Sequence, residues 1–90
     1  MAARSVVVTG MGLVTAVGLD RDSTWAALKA GQGGVAPLEG VEGEFKTTFA
    51  AQVKGLDPEQ VMDPKEARKA DRFVHLAMAA SQQAMAQAGL

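Results

Sequence analysis

The sequence predicts a layered α/β fold, and three observations carry that prediction. Ser5-Val6-Val7-Val8-Thr9 is a continuous β-branched run closed by Gly10. An unbroken apolar run, unlike an alternating one, fits a strand buried on both faces of a sheet. Residues 63–89 carry the longest helical pattern, with a cationic head (Lys65, Arg68, Lys69, Arg72) and a stem rich in Ala and Met. A stem of such small side chains can lie close against a sheet. Taken in order, the elements read β–loop–α–loop–β–α–α, which leaves the valine strand without a parallel partner and its backbone groups unpaired. The expectation is the opening of a larger protein.

The first strand is followed by Gly10-Met11-Gly12 and then Leu13 to Gly18, a glycine density that suggests close backbone approach or positive φ. Asp20 is a good N-cap, Asp22 is favourable in the first turn, and Ser23 stands at the third helical position. Trp25, Leu28 and the alanines between them predict an apolar face, so a helix is expected over 21–30 with Gly31 as its stop. Residues 31–43 are Gly-rich and contain Pro37, which reads as a surface loop with no further assignment. In 45–54, Phe49, Ala51 and Val53 alternate with Ala50, Gln52 and Lys54, the pattern of a half-exposed strand.

Two helix starts follow closely. Asp57-Pro58-Glu59-Gln60 predicts a one-turn helix, and Asp63-Pro64-Lys65-Glu66 starts the long one. Asp71 could act as a further cap, so an interruption is expected between Lys69 and Asp71. Gly89 ends the helix.

Ninety residues make at most one small domain, and four aromatic residues (Trp25, Phe45, Phe49, Phe73) promise a thin core. The formal net charge of −1 gives no global field toward nucleic acid or membrane. Cysteine is absent, which excludes a disulfide, a thiolate metal site and a cysteine nucleophile within these residues. The apolar run near the N-terminus is too short for a signal peptide, and a membrane span needs about 20 apolar residues. A soluble, cytoplasmic chain is the simplest expectation.

Candidate chemistry is sparse. Gly10-x-Gly12 after a strand invites a dinucleotide-binding reading, but Thr15 stands where a third Gly belongs and the next helix waits until Asp20. A structural glycine turn fits better. His75 lies on the polar stripe Arg68, Arg72, His75, Gln82, with no Cys or acidic partner at i+3 or i+4. A surface or interlayer hydrogen bond is expected there, and no metal or cofactor is implied. Lys65, Arg68 and Lys69 stand at i, i+3 and i+4, so a helix puts three cations on one face. They suit either a solvated face, with Glu66 and Asp71 as weak local partners, or a partner that is an acidic protein or a phosphate group. Cations at a helix start oppose the macrodipole, a placement easier to understand if a partner uses it, yet the residues alone leave both readings open.

Three stretches together, RSVVVTGMGLVTAVG (4–18), STWAALKAG (23–31) and KEARKADRF (65–73), resemble the N-terminus of a β-ketoacyl-acyl-carrier-protein synthase, most closely synthase II of dissociated fatty-acid synthesis. The resemblance covers essentially the whole chain but the first part of a family sequence several times longer. It implies the N-terminal part of a thiolase-like layered αβαβα fold, with residues 1–90 an incomplete portion of its first half, and a homodimer. It also implies a decarboxylative Claisen condensation. An acyl group passes from acyl carrier protein to an enzyme cysteine, and malonyl carrier protein loses CO2 and attacks it, two histidines polarising the malonyl thioester. None of those catalytic residues is in this chain, since His75 matches neither family histidine. Lys65, Arg68 and Lys69 do match the family's basic residues that meet the acidic carrier protein. Ala16 replaces the Pro common in the family's T-P-x-G.

The expected function is thus a segment of a ketosynthase, contributing scaffold and a carrier-docking patch, and inactive alone. Its rivals are a non-catalytic partner of the chain-length-factor type, a polyketide ketosynthase domain, and a stand-alone basic module. The start so close to the first strand speaks against the polyketide domain.

Overall fold

The computed structural model describes residues 3–90. Its elements are α1 (Arg21–Lys29), β1 (Val35–Pro37), β2 (Phe49–Ala51), a 3-10 turn (Pro58–Gln60), α2 (Pro64–Lys69) and α3 (Arg72–Ala88). No helix among the described residues is long and apolar enough to cross a membrane. The Cα radius of gyration is 16.6 Å, against about 12 Å for a compact domain of this length. The chain is an elongated frame around a small core of Ala27, Ala67 and Ala79 with Thr24 and His75.

α3 is the member on which the frame hangs. It ends at Gly89, whose φ of 81° places it in the left-handed region that glycine tolerates best. The glycine loop lies directly on its alanine face. A Cβ built at Gly10 would run into the carbonyl oxygen of Ala84, and one at Gly12 into that of Ala80. Close approach, not positive φ, is what these two glycines supply. Glutamines on α3 satisfy the backbone that this approach strands. Gln87 Oε1 accepts from Met11 N at 2.7 Å and Gln83 Oε1 from Leu13 N at 3.1 Å, while Gln83 Nε2 donates to Leu19 O at 2.6 Å. Gln82 Nε2 reaches Val61 O at 2.7 Å on the next segment.

The loop then closes as a tight turn, with Thr15 N donating to Gly18 O at 2.8 Å. Thr15 Oγ1 lies 3.1 Å from Thr24 Oγ1, which seats the turn on α1. Ala16 sits inside this turn, so the missing Pro has not opened it. α1 itself begins with the reciprocal capping box of Asp20 and Ser23, in which Ser23 N donates to Asp20 Oδ1 at 2.7 Å. The helix ends at Lys29, one residue short of the expected Ala30.

Four expectations are corrected. The valine run forms no strand: Val6 is 96% exposed and Val7 and Val8 are also exposed. No neighbouring strand exists among the described residues to pair with it, and without a ladder an isolated strand has no hydrogen-bonded state to occupy. The large apolar face of α1 points outward, with Trp25 59% exposed, its ring covered by Lys29 Nζ at 5.8 Å from the centroid. The small residues Thr24 and Ala27 face inward because Gly18 packs against the backbone of Thr24 and leaves no room for a larger side chain. The 31–43 loop contributes a strand after all, since β1 pairs antiparallel with β2 in the register Val35–Ala51, Ala36–Ala50 and Pro37–Phe49. The 45–54 strand shrinks to Phe49–Ala51, the length that β1 can match. Beyond the ladder, Leu38 N donates to Thr48 O at 2.9 Å and Glu39 pairs with Lys54 at 3.2 Å.

Candidate functional site

The expected break falls where Asp71 signals it, and it divides the long helical pattern into α2 and α3. Asp63 caps α2, accepting from Lys65 N at 3.2 Å, and Pro64 takes the first position, where its missing N–H costs nothing. Ala67 N and Ala70 N complete the helical bonds to Asp63 O and Glu66 O at 2.8 and 3.1 Å. Ala70 is then extended (φ −95°, ψ 145°), and the helix stops. One side of this short element is buried through Ala67; Lys65, Arg68 and Lys69 are all exposed.

Among the described residues, the ion pairs are Arg21–Asp22 and Lys54–Glu39, so none involves these three cations. Glu66 and Asp71 do not serve as the local partners that the sequence suggested. Glu66 adjoins Lys65 on an exposed turn where a pair gains little. The extended Ala70 carries Asp71 away to start α3, where its carbonyl accepts from Val74 N at 3.0 Å. Asp71 is an N-cap by position, with no side-chain cap bond.

The dipole argument also changes. Because α2 ends at Lys69, Arg68 and Lys69 occupy its last turn, where the helix dipole favours cations, and Lys65 alone stands in the first. Helix electrostatics thus gives no reason of its own to expect a partner. Arg72 separates from the group too. Its guanidinium donates to Leu56 O at 3.3 Å and Val53 O at 3.4 Å, fastening the segment before the 3-10 turn to the first turn of α3.

His75 is buried, 8% exposed, with Nε2 2.9 Å from Ala67 O. Of the surface or interlayer bond expected for this ring, it makes the interlayer kind, between α3 and α2, with a partner that the sequence does not identify. No group of three His, Cys, Asp or Glu among the described residues could hold a metal ion. The Gly10-x-Gly12 loop faces the backbone of α3 and is followed by the Thr15–Gly18 turn, so a phosphate has neither room nor a helix N-terminus there. Sequence reasoning found the three cations but missed the grip of Arg72 and the cap of His75 on Ala67. The signal available for the latter was the Asp71 break, which brings a residue one turn into α3 back over the end of α2.

With this geometry in place, comparison with known proteins assigns the class. Residues 3–90 match the family model of the β-ketoacyl synthase N-terminal domain. The chain belongs to the β-ketoacyl synthase family, and with it to an α/β architecture. It is 47% identical over its whole length to 3-oxoacyl-(acyl-carrier-protein) synthase 2 of Vibrio cholerae, covering 22% of that protein. The corresponding synthase 2 of Coxiella burnetii is 42% identical, again over the whole chain and 22% of the relative. Nodulation protein E of a Rhizobium species is 39% identical over 97% of the chain and 22% of its own length. The chain therefore spans about a fifth of the length of the curated relatives it matches.

Proposed function

We propose that this chain is part of a fatty-acid ketosynthase of the synthase-II type, to which it contributes scaffold and a docking surface for acyl carrier protein. The observation that carries the docking reading is the face of α2: three exposed cations, Lys65, Arg68 and Lys69, with no ion-pair partner among the described residues. The names of the relatives, 3-oxoacyl-(acyl-carrier-protein) synthases, supply the partner chemistry, an acyl group borne on a carrier protein. The whole enzyme would extend acyl chains by decarboxylative Claisen condensation with a malonyl carrier protein, as a cytoplasmic homodimer. The chain holds no cysteine, so the nucleophile would come from outside these residues. Residues 1–90 would be an incomplete portion of the first half of a thiolase-like layered fold. The uncovered valine run and the elongated frame support that reading.

The test is Lys65→Glu combined with Lys69→Glu in the whole protein that carries this chain, titrated with acyl carrier protein. Exposed charge contacts are worth up to about 1 kcal/mol each, so affinity should fall about tenfold at low ionic strength. The loss should shrink as salt screens the contacts. Unchanged affinity at low salt would return these residues to an ordinary solvated face.

A further inference from the structure

α2 has six residues, whereas isolated helices below about 12–15 residues are marginal in water. The i, i+3, i+4 geometry that puts Lys65, Arg68 and Lys69 on one face exists while this segment is wound. Its first turn is secured by Asp63 and Pro64. Its last turn is exposed to fraying, because the final carbonyls of a helix have no intrahelical donor. Glu66 O receives Ala70 N, but the extended backbone at Ala70 takes the next amide away, and no backbone N–H among the described residues bonds to Ala67 O. Ala67 is 6% exposed, so water is a poor substitute. What meets this carbonyl is Nε2 of His75 at 2.9 Å, reaching from the first turn of α3.

Two observations make this contact the ring's whole polar purpose. A carbonyl can only accept, so Nε2 must carry the hydrogen. Nδ1 is enclosed and has no hydrogen-bond partner among the described residues. The ring is thus a side-chain cap on the C-terminus of α2, delivered across the Asp71 break.

We propose that His75 is a positioning residue for carrier docking: by capping α2 at Ala67 it keeps Arg68 and Lys69 wound onto the same face as Lys65. This rests on the docking reading above. It extends that reading by giving the exposed patch a buried determinant.

Gln and Asn separate the two ring nitrogens. A Gln amide reaches about as far as Nε2, whereas an Asn amide reaches about as far as Nδ1 and stops short of Ala67 O. In the whole protein, KM would be measured for an acyl group on acyl carrier protein and for the same group on N-acetylcysteamine, which offers no acidic surface. The ratio of the two KM values should rise about fivefold in His75→Asn, the value of one side-chain hydrogen bond. His75→Gln should restore it. An unchanged ratio in His75→Asn, or equal effects of Asn and Gln, would overturn the inference. The Lys65→Glu, Lys69→Glu variant run alongside separates the two ideas. If it raises the ratio and His75→Asn does not, docking stands and the positioning role fails; if it leaves the ratio unchanged, both fail. Should His75→Asn not fold, imidazole nitrogen NMR of the parent protein decides: protonation at Nε2 supports the cap, and a hydrogen at Nδ1 alone overturns it.

Discussion

α3 turns alanines and glutamines toward its neighbours, whereas α2, a few residues earlier, turns cations toward solvent and keeps Ala67 alone inside. Both were parts of one amphipathic pattern, and both are capped helices. α3 accepts the glycine loop within backbone distance and answers the stranded amides with Gln83 and Gln87. Among the described residues α2 carries no such loop, and its ends are met by Asp63, which accepts from Lys65 N, and by His75, which reaches Ala67 O. The difference teaches that packing and presentation can be assigned to adjoining helices by two extended residues, Ala70 and Asp71.

The sharpest way to break the comparison is to fill the seat on α3. Gly12→Val should cost about 3 kcal/mol in urea denaturation of the whole protein, since its Cβ meets a backbone carbonyl that cannot step aside. Gly33→Ala, where nothing lies within 4 Å of an added Cβ, should change stability by less than about 0.5 kcal/mol. A Gly12→Val protein as stable as its parent would mean that the loop does not rest on α3.

Gln83→Leu keeps the volume and removes both hydrogen bonds, to Leu13 N and Leu19 O. It should cost about 1–2 kcal/mol by the same measurement. A neutral result would move the fastening of the loop from the glutamines to the alanine contacts alone.

On α2 the expectation reverses. Lys65→Glu with Lys69→Glu should leave stability within about 0.5 kcal/mol, because both side chains are exposed and neither is ion-paired among the described residues. Substantial unfolding would show that these cations hold the structure together, and the contrast between the two helices would collapse.

The smallest effect belongs to Asp20. The Ser23 hydroxyl, then the Ser23 backbone amide, hold its carboxyl below the ordinary value of 3.8. A depressed carboxylate contributes stability that is present above the unfolded value and is lost as pH falls through the lower folded one. Carboxyl carbon NMR should find a low midpoint in the parent, and Ser23→Ala should raise it. An unmoved midpoint would remove the hydroxyl from the account.

Much of this was legible in the residues. Asp20 with Ser23 announces α1, the Asp-Pro pairs announce the 3-10 turn and α2, and Asp71 marks the break, because capping is local chemistry. What failed was non-local. The valine run has the composition of a buried strand, but burial needs partners that these residues do not provide. β1 was hidden in a glycine-rich stretch because its existence depends on pairing with β2. Side-chain size alone would turn Trp25 and Leu28 of α1 inward, whereas the close approach of Gly18 selects the smaller side. Three cations could be placed on one face by spacing, while the freedom of those cations and the reach of His75 to Ala67 are tertiary facts.

The uncovered valines carry one practical consequence. A short, β-branched, uncharged segment whose amides and carbonyls make no backbone hydrogen bond among the described residues is a template on which another copy can add a strand, and addition can repeat without closing. The 90-residue polypeptide on its own should therefore show turbidity that grows with concentration and binds cross-β dyes. Val7→Lys would act as a gatekeeper, keeping it clear without touching either helix.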